Sequence, residues 1–442
     1  VTTLDRVGAL SVNGFDASSA VGLSTRTLDL VERRRRVLGP AYHLMYETPL
    51  ELVRGEGVYV FDPDGTRYLD MYNNVASVGH CHPRVVEAVT RQMSLINTHT
   101  RYLHEAVIGY AEDLVGTFPD RLDTAMFTCT GSEANDLALR IARHAAGRQG
   151  IIVTESAYHG GTVDVAACSP SMGPASVRDA PWLRTVPAPD AYRVEGDLGT
   201  WFAQQVQAQI DDLASSGIGI AALLIDSIFA SDGILPEPTP FLKPAADVVN
   251  AAGGMLIADE VQPGFGRLGA SMWGFERHGL LPDIVTMGKP MGNGMPIAGL
   301  VMQSSLAEQF GRDLRYFNTF GGNPVTIAAA QAVLDVIRDE DLVANSAAMG
   351  ERMLAGLSTV ADRVDSIGDV RGAGLFVGVE FIGTAGRPDP AEALRVVNAM
   401  KKRGVLISAT GLYGNTLKIR PPLTIETADV DYFLEQFATV VA

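Results

Sequence analysis

The chain has little of what marks exported, disulfide-stapled, membrane-spanning or nucleic-acid-binding proteins. Only three of its 442 residues are cysteine, Cys81, Cys129 and Cys168. They have neither the even spacing of a disulfide framework nor the paired spacing of a zinc site, so no metal is expected and a reducing cytoplasm is the expected compartment. Charged residues make up 19%, with 51 acidic against 35 basic and a net charge of −16. That balance repels nucleic acid and anionic lipid. The N-terminal segment scatters Asp5, Arg6, Asp16, Arg26 and Asp29 among small and polar neighbours, unlike the charged start and unbroken apolar core of a secretory signal. The longest apolar stretch, residues 217–230, is interrupted by Asp226 and falls short of the roughly 20 residues that span a bilayer. Lysine is also scarce. There are five, Lys243, Lys289, Lys401, Lys402 and Lys418, so chemistry that needs an amine has few candidates.

What is there reads as a folded enzyme-sized body, 47% hydrophobic with 46 Gly and 23 Pro, an ordinary mixture for a globular chain. Residues 1–60 are expected to form an N-terminal arm and part of a small domain. The arginine run 33–36 lies there in a predicted helix, as a solvated face. From Val58 the residues alternate through Val60, an Asp62-Pro63-Asp64-Gly65 turn and Tyr68-Leu69-Asp70, the pattern of a hairpin. Residues 61–324 are expected to form the large domain. Its short apolar runs (125–127, 151–153, 221–225, 255–258, 284–285 and 297–301) alternate with helical patterns such as Ala134, Leu137, Ala138, Ile141 and Ala142. Apolar strands separated by helices predict a mostly parallel sheet covered on both faces. Residues 325–442 are expected to close the chain as a smaller α+β domain, with a final helix whose apolar face is Val430, Phe433, Leu434 and Phe437.

Four motifs in the large domain carry chemistry. Thr130-Gly131-Ser132-Glu133-Ala134-Asn135 follows an apolar strand and opens a helix, so free N–H groups and the helix dipole face a ligand as a phosphate cradle. The same turn also serves as an ordinary helix cap. Tyr158 and His159 follow the next strand, at the carboxyl-end edge where ligands of open α/β sheets collect. An aromatic there either covers a flat ring or simply packs. Asp259 and Glu260 stand at the exit of a buried strand, where one of the two can face a cationic ring nitrogen. Lys289 is the lysine that directly follows a predicted core strand, set between Gly288 and Pro290, where desolvation lowers an amine's pKa toward the nucleophilic form. An amine, a carboxylate, an aromatic cover and a phosphate cradle are together the parts that pyridoxal 5'-phosphate requires.

With these motifs in view, the chain resembles the class III, omega-type aminotransferases of the fold type I pyridoxal phosphate superfamily over residues 40–442. The matching strings are Gly79-His80-Cys81-His82-Pro83, the 131–135 cradle, Tyr158-His159-Gly160, Asp259-Glu260-Val261-Gln262, Gly288-Lys289, residues 318–324 and residues 371–375. The resemblance implies an α/β fold with a mostly parallel seven-stranded sheet plus a smaller α+β domain. It implies that Lys289 holds the cofactor, Asp259 pairs with the ring nitrogen, Gly131 and Ser132 bind the phosphate, Tyr158 with neighbouring His159 lies on the ring and Gln262 reaches the 3-hydroxyl. It also implies that Thr319 completes the phosphate site of a neighbouring subunit, hence a homodimer with shared active sites.

Within that family the chain looks most like the branch of ethanolamine-phosphate and 5-phosphohydroxylysine phospho-lyases, through residues 73–76, 78–83, 97–104, 132–140 and 417–422. Alanine–glyoxylate-type aminotransferases share several of these strings. Many class III aminotransferases carry Glu-Pro where this chain has Asp226-Ser227, a departure that weakens an ordinary transaminase reading. The expected reaction is elimination of phosphate from a phosphorylated amine, O-phosphoethanolamine first, giving acetaldehyde, ammonia and phosphate. Lys289 would move the proton. A phosphate dianion calls for Arg or Lys, and Arg420, Lys418 and Arg101 are the candidates, each of which serves equally as a structural ion-pair partner. Tyr42 and Tyr46 are candidate wall residues. The alternative is transfer of an amino group to a keto acid, with Arg420 receiving a carboxylate. A catalytically silent homologue is disfavoured by the presence of Lys289 and Asp259.

Overall fold

The computed structural model describes residues 14–15, 22–173 and 180–442. Asp5, Arg6 and Asp16 of the arm lie outside the described residues. The arginine run does fall in a helix, Thr25–Leu38, which has no buried residue and is capped by Ser24 accepting from Thr27 N. The predicted hairpin follows as three short antiparallel strands, β1 (Arg54–Glu56), β2 (Tyr59–Phe61) and β3 (Arg67–Asp70). Its turn is held by Asp62, whose Oδ1 accepts from Asp64 N and Thr66 N at 3.0 and 2.8 Å.

The centre of the molecule is a seven-stranded sheet of β4 (Thr124–Thr128), β5 (Gly150–Thr154), β6 (Leu183–Val186), β7 (Ile220–Ile225), β8 (Met255–Asp259), β9 (Ile284–Met287) and β10 (Ala298–Met302), in the order β4-β10-β9-β8-β7-β5-β6. Each of the six apolar runs became a strand, and all are parallel except β10, which runs against both of its neighbours. The seventh strand, β6, sits at the sheet edge and carries Arg184 and Thr185, a half-polar pattern that does not stand out in sequence. Strands β5 and β7 are buried along their whole length, as expected where helices cover both faces. The helix Gly131–Ala146 buries Ala134, Asn135, Leu137, Ala138, Leu139, Ile141 and Ala142. Its entry is fixed by a capping box in which Glu133 N donates to Thr130 Oγ1 and Glu133 Oε2 accepts from Thr130 N.

After the buried helix Pro324–Asp339, the chain forms a second, antiparallel sheet of β11 (Ile367–Ala373), β12 (Phe376–Phe381), β14 (Ser408–Thr410) and β15 (Thr416–Ile419), in the order β11-β12-β15-β14. The last helix, Thr427–Val441, buries Val430, Phe433 and Phe437, as its spacing predicts. Strand β13 (Val405–Leu406) does something periodicity does not announce: it pairs in parallel with Leu69 and Asp70 of β3. The expected division after residue 60 therefore falls within β2, and the N-terminal hairpin is continuous with C-terminal chain. No helix among the described residues is long and apolar enough to cross a membrane.

Candidate active site

The carboxyl ends of β4, β5, β7, β8 and β9 converge on two adjoining cavities. The first, of about 300 Å³, is lined by Gly131, Ser132, Tyr158, His159, Asp259, Gln262 and Lys289 among others. The second, of about 490 Å³, shares Tyr158, Gln262 and Lys289 with the first and adds Tyr42, Tyr72, Lys418 and Arg420. Lys289 therefore stands where the two meet, and the surface it exposes faces these cavities. Burial, then the charge of Arg420, holds its amine below the ordinary ammonium value.

The two carboxylates at the end of β8 have separate fates. Asp259 faces the first cavity with Oδ2 between Asn135 Nδ2 at 2.9 Å and His159 Nδ1 at 2.7 Å, while Oδ1 accepts from Val261 N at 3.0 Å. Glu260 turns away into the protein. It accepts from Ser227 Oγ, Gly274 N and Phe275 N at 2.8, 2.7 and 2.9 Å, and burial pushes it up to about 8. Ser227 thus has a structural use, since its hydroxyl anchors the carboxylate next in chain to Asp259. Asn135 is the residue that sequence reasoning placed in the cradle without seeing its main task. Its Oδ1 accepts from Thr286 Oγ1 at 2.6 Å and its Nδ2 also donates to His159 O at 2.8 Å, tying helix, β8 and β9 together around Asp259.

At the other end of the first cavity the capping box satisfies Glu133 N, while Gly131 N and Ser132 N have no protein partner among the described residues. Gly160 packs directly against this helix start. Its φ is +141°, and a Cβ there would sit 2.5 Å from Ser132 Oγ and 2.8 Å from Ser132 Cα. A lysine opening on the cavity, a clamped carboxylate, a half-buried tyrosine and an open helix N-terminus together fit the charge pattern of pyridoxal phosphate. His159 Nε2, buried and without a partner, is a polar atom that a ligand in this cavity would approach.

The second cavity collects cations. Arg420, 5% exposed, donates Nη1 to Gln262 Oε1 at 2.5 Å and Nε to Tyr72 O at 3.1 Å. Lys418, 8% exposed, donates Nζ to Ala230 O at 3.2 Å. Neither is within ion-pair distance of a carboxylate among the described residues, which removes the structural ion-pair reading for both. Burial, then Arg420, holds Lys418 well below the ordinary ammonium value. Across the cavity wall, burial and the charge of Asp259 raise Asp226 to about 6. Asp226 binds the backbone N–H of Ile228 at 3.0 Å and of Ala230 at 3.1 Å, shaping the turn that offers Ala230 O to Lys418.

Two expected residues stand elsewhere. Arg101 is exposed, with its guanidinium 3.9 Å from the centre of the Phe317 ring and lining a different cavity beside Asn318; within its own chain it does not join Lys289. Thr319 is exposed on the same face and lines neither cavity of its own chain. Of the two wall candidates, Tyr42 lines the second cavity, whereas Tyr46 is core, donating its hydroxyl to Ile407 O at 3.1 Å. No cluster of His, Cys, Asp and Glu among the described residues is arranged to hold a metal.

Residues 42–441 match the family described as aminotransferase class-III. An alanine–glyoxylate aminotransferase 2-like protein of Drosophila melanogaster is 40% identical over 424 residues, covering 92% of this chain and 86% of that one. Ethanolamine-phosphate phospho-lyase homolog 1 of Caenorhabditis elegans is 34% identical over 435 residues, covering 92% and 93%. Among solved structures, a phospholyase from Arthrobacter in complex with phosphoethanolamine superposes with a TM-score of 0.90 at 41% identity, covering 93% of this chain and 99% of that one.

Proposed function

The chain belongs to the class III aminotransferases, a pyridoxal phosphate family, and on that premise we propose that it is a phospho-lyase that eliminates phosphate from a phosphorylated primary amine, O-phosphoethanolamine being the best-fitting substrate. The products are acetaldehyde, ammonia and inorganic phosphate. The observation that carries this reading is the pair of buried cations, Lys418 and Arg420, which line the cavity beside Lys289 with no carboxylate among the described residues at ion-pair distance, in a chain of net charge −16. Two buried charges without counterions are costly, and a bound phosphate dianion would neutralise both.

Bound pyridoxal phosphate supplies the electron sink for the charge left when the amine-bearing carbon loses its proton. The chain supplies the rest. Lys289 would hold the cofactor and would take the proton from that carbon, a task suited to an amine whose pKa burial has lowered. Asp259, oriented by Asn135 and His159, would face the ring nitrogen. Gly131 N and Ser132 N would receive the cofactor phosphate at the helix start, with the partner subunit's Thr319 completing that site in a homodimer. Tyr158 would cover the ring, and Gln262, engaged by Arg420, stands between the two cavities. Arg420 and Lys418 hold the substrate phosphate. The scarcity of cysteine supports a cytoplasmic setting.

The alternative is amino transfer to a keto acid, favoured by the likeness to the alanine–glyoxylate aminotransferase 2-like protein and by the suitability of Arg420 for a carboxylate. The test is incubation of the cofactor-loaded protein with O-phosphoethanolamine and no keto acid. Equal release of phosphate and acetaldehyde is expected. No release, together with pyruvate-dependent loss of the amine, would establish the transaminase instead.

A further inference from the structure

We propose that Lys418 is an acid catalyst that protonates the departing phosphate, a role that rests on the phospho-lyase reading. When the carbon–oxygen bond of a phosphate monoester dianion breaks, both electrons go to the bridging oxygen. Without a proton the leaving group would be a trianion, the conjugate base of a very weak acid, so elimination calls for a proton at that oxygen as the bond opens. In the balanced step the C–O bond and an N–H bond of Lys418 break, an O–H bond forms, hydrogen phosphate leaves and Lys418 remains as a neutral amine. Lys418 recovers its proton from water before the next cycle.

The second cavity offers few groups able to do this. Arg420 binds an anion but does not release its proton. Lys289 is occupied in taking up the proton from carbon. Burial raises the Tyr158 hydroxyl above its ordinary value, so it holds its proton more tightly. His43 lies at the exposed outer edge. Lys418 is inside, its one hydrogen bond among the described residues going to Ala230 O at 3.2 Å, which leaves ammonium hydrogens for a ligand. The groups that act on it electrostatically are Arg420 and Lys289, which loosen its proton, and Asp226 and Asp232, which tighten it. An arriving dianion adds to the second pair and favours the charged form of the lysine.

The test compares two esters of ethanolamine in wild type, Lys418→Arg and Lys418→Met. Sulfate leaves as the base of a strong acid and needs no proton; phosphate does. The arginine variant keeps a fixed charge that binds but cannot donate. It is expected to retain the absorbance of bound cofactor and the wild-type affinity for inorganic phosphate, and to lose about 100-fold or more in kcat for O-phosphoethanolamine, the scale of general acid catalysis. Its release of sulfate from 2-aminoethyl sulfate should stay within about threefold of wild type, whereas the methionine variant, which keeps neither charge nor proton, should lose phosphate affinity as well as kcat for O-phosphoethanolamine. Wild-type phosphate kcat in the arginine variant, or equal loss with both esters, would overturn the role while leaving the lyase intact. If the sulfate ester is not turned over by wild type, the kcat loss at unchanged phosphate affinity decides. Should wild type itself release no phosphate, the lyase reading fails and takes this role with it.

Discussion

His159 Nδ1 lies 2.7 Å from Asp259 Oδ2, and the same oxygen takes Asn135 Nδ2 at 2.9 Å. One carboxylate oxygen at the end of β8 is thus held between an imidazole and an amide, both brought from other elements. The arrangement leaves little rotational freedom to the carboxylate that the proposed function sets against the cofactor ring, and preorganised charge of this kind is where electrostatic catalysis resides.

Replacing that charge should be expensive. With no carboxylate to oppose the ring nitrogen, Asp259→Asn is expected to lower turnover by about 100-fold or more, a barrier increase of about 2.7 kcal/mol, and to weaken cofactor binding. Cofactor titration and steady-state rates together check this. An asparagine variant as active as its parent would mean that Asp259 is not opposed to the ring.

Gly160→Ala tests the cradle without touching a charge. The new Cβ would meet Ser132 at 2.5–2.8 Å from a φ of +141°, and strain of about 1–3 kcal/mol must be relieved by displacing the helix start. Cofactor affinity should fall about 10-fold or more, with the secondary structure seen by circular dichroism unchanged. Unaltered affinity would detach the helix N-terminus from the phosphate.

Arg420→Lys keeps the charge and loses the fork that spans Gln262 Oε1 and Tyr72 O. A point charge cannot hold both partners and a ligand. The KM for the phosphorylated amine should rise about 10-fold or more, with a smaller change in kcat, and inorganic phosphate should become a weaker inhibitor. A change confined to kcat would assign Arg420 to the chemistry rather than to binding.

Acid stability should carry the signature of His278. Burial holds this imidazole down from 6.5 to about 4, with Nε2 3.2 Å from Ser227 O. The unfolded chain takes up a proton near 6.5 that the folded chain refuses until about 4, so this stability is complete above 6.5 and is lost as pH falls toward 4. The full span corresponds to about 3 kcal/mol. Urea midpoints of His278→Gln measured against wild type from pH 7 to 4.5 should converge as the pH falls; parallel curves would exclude the histidine as a source of acid sensitivity.

The parts of this molecule that sequence disclosed are those set by local physics. Apolar runs between helical patterns became β4, β5 and β7 through β10, and Lys289 stood out because a lysine rarely follows a buried strand. The parts it hid depend on distant chain meeting. Lys418 and Arg420 were chosen on charge alone; only the fold shows that β15 carries them to a cavity whose other wall begins at Tyr72. Asn135 looked like one more residue of a cradle because its three partners, His159, Asp259 and Thr286, come from three later segments. Which of Asp259 and Glu260 faces the cavity was left open by the residue pattern and named only through the family resemblance, since the physical answer lies in Ser227, Gly274 and Phe275, the donors that capture Glu260. Arg101 kept its place in the list through charge and lost it within its own chain through position.

The parallel pairing of β13 with β3, and the bond from Arg420 N to Met71 O at 2.6 Å, also set an order of events. Contacts between residues more than three hundred apart form slowly because the loop between them must close first. A growing chain can therefore assemble Lys289, Asp259 and the helix at Gly131 while its substrate cavity still lacks both cations. On the proposed function, the groups set around the cofactor come from chain that precedes the segment completing the substrate cavity.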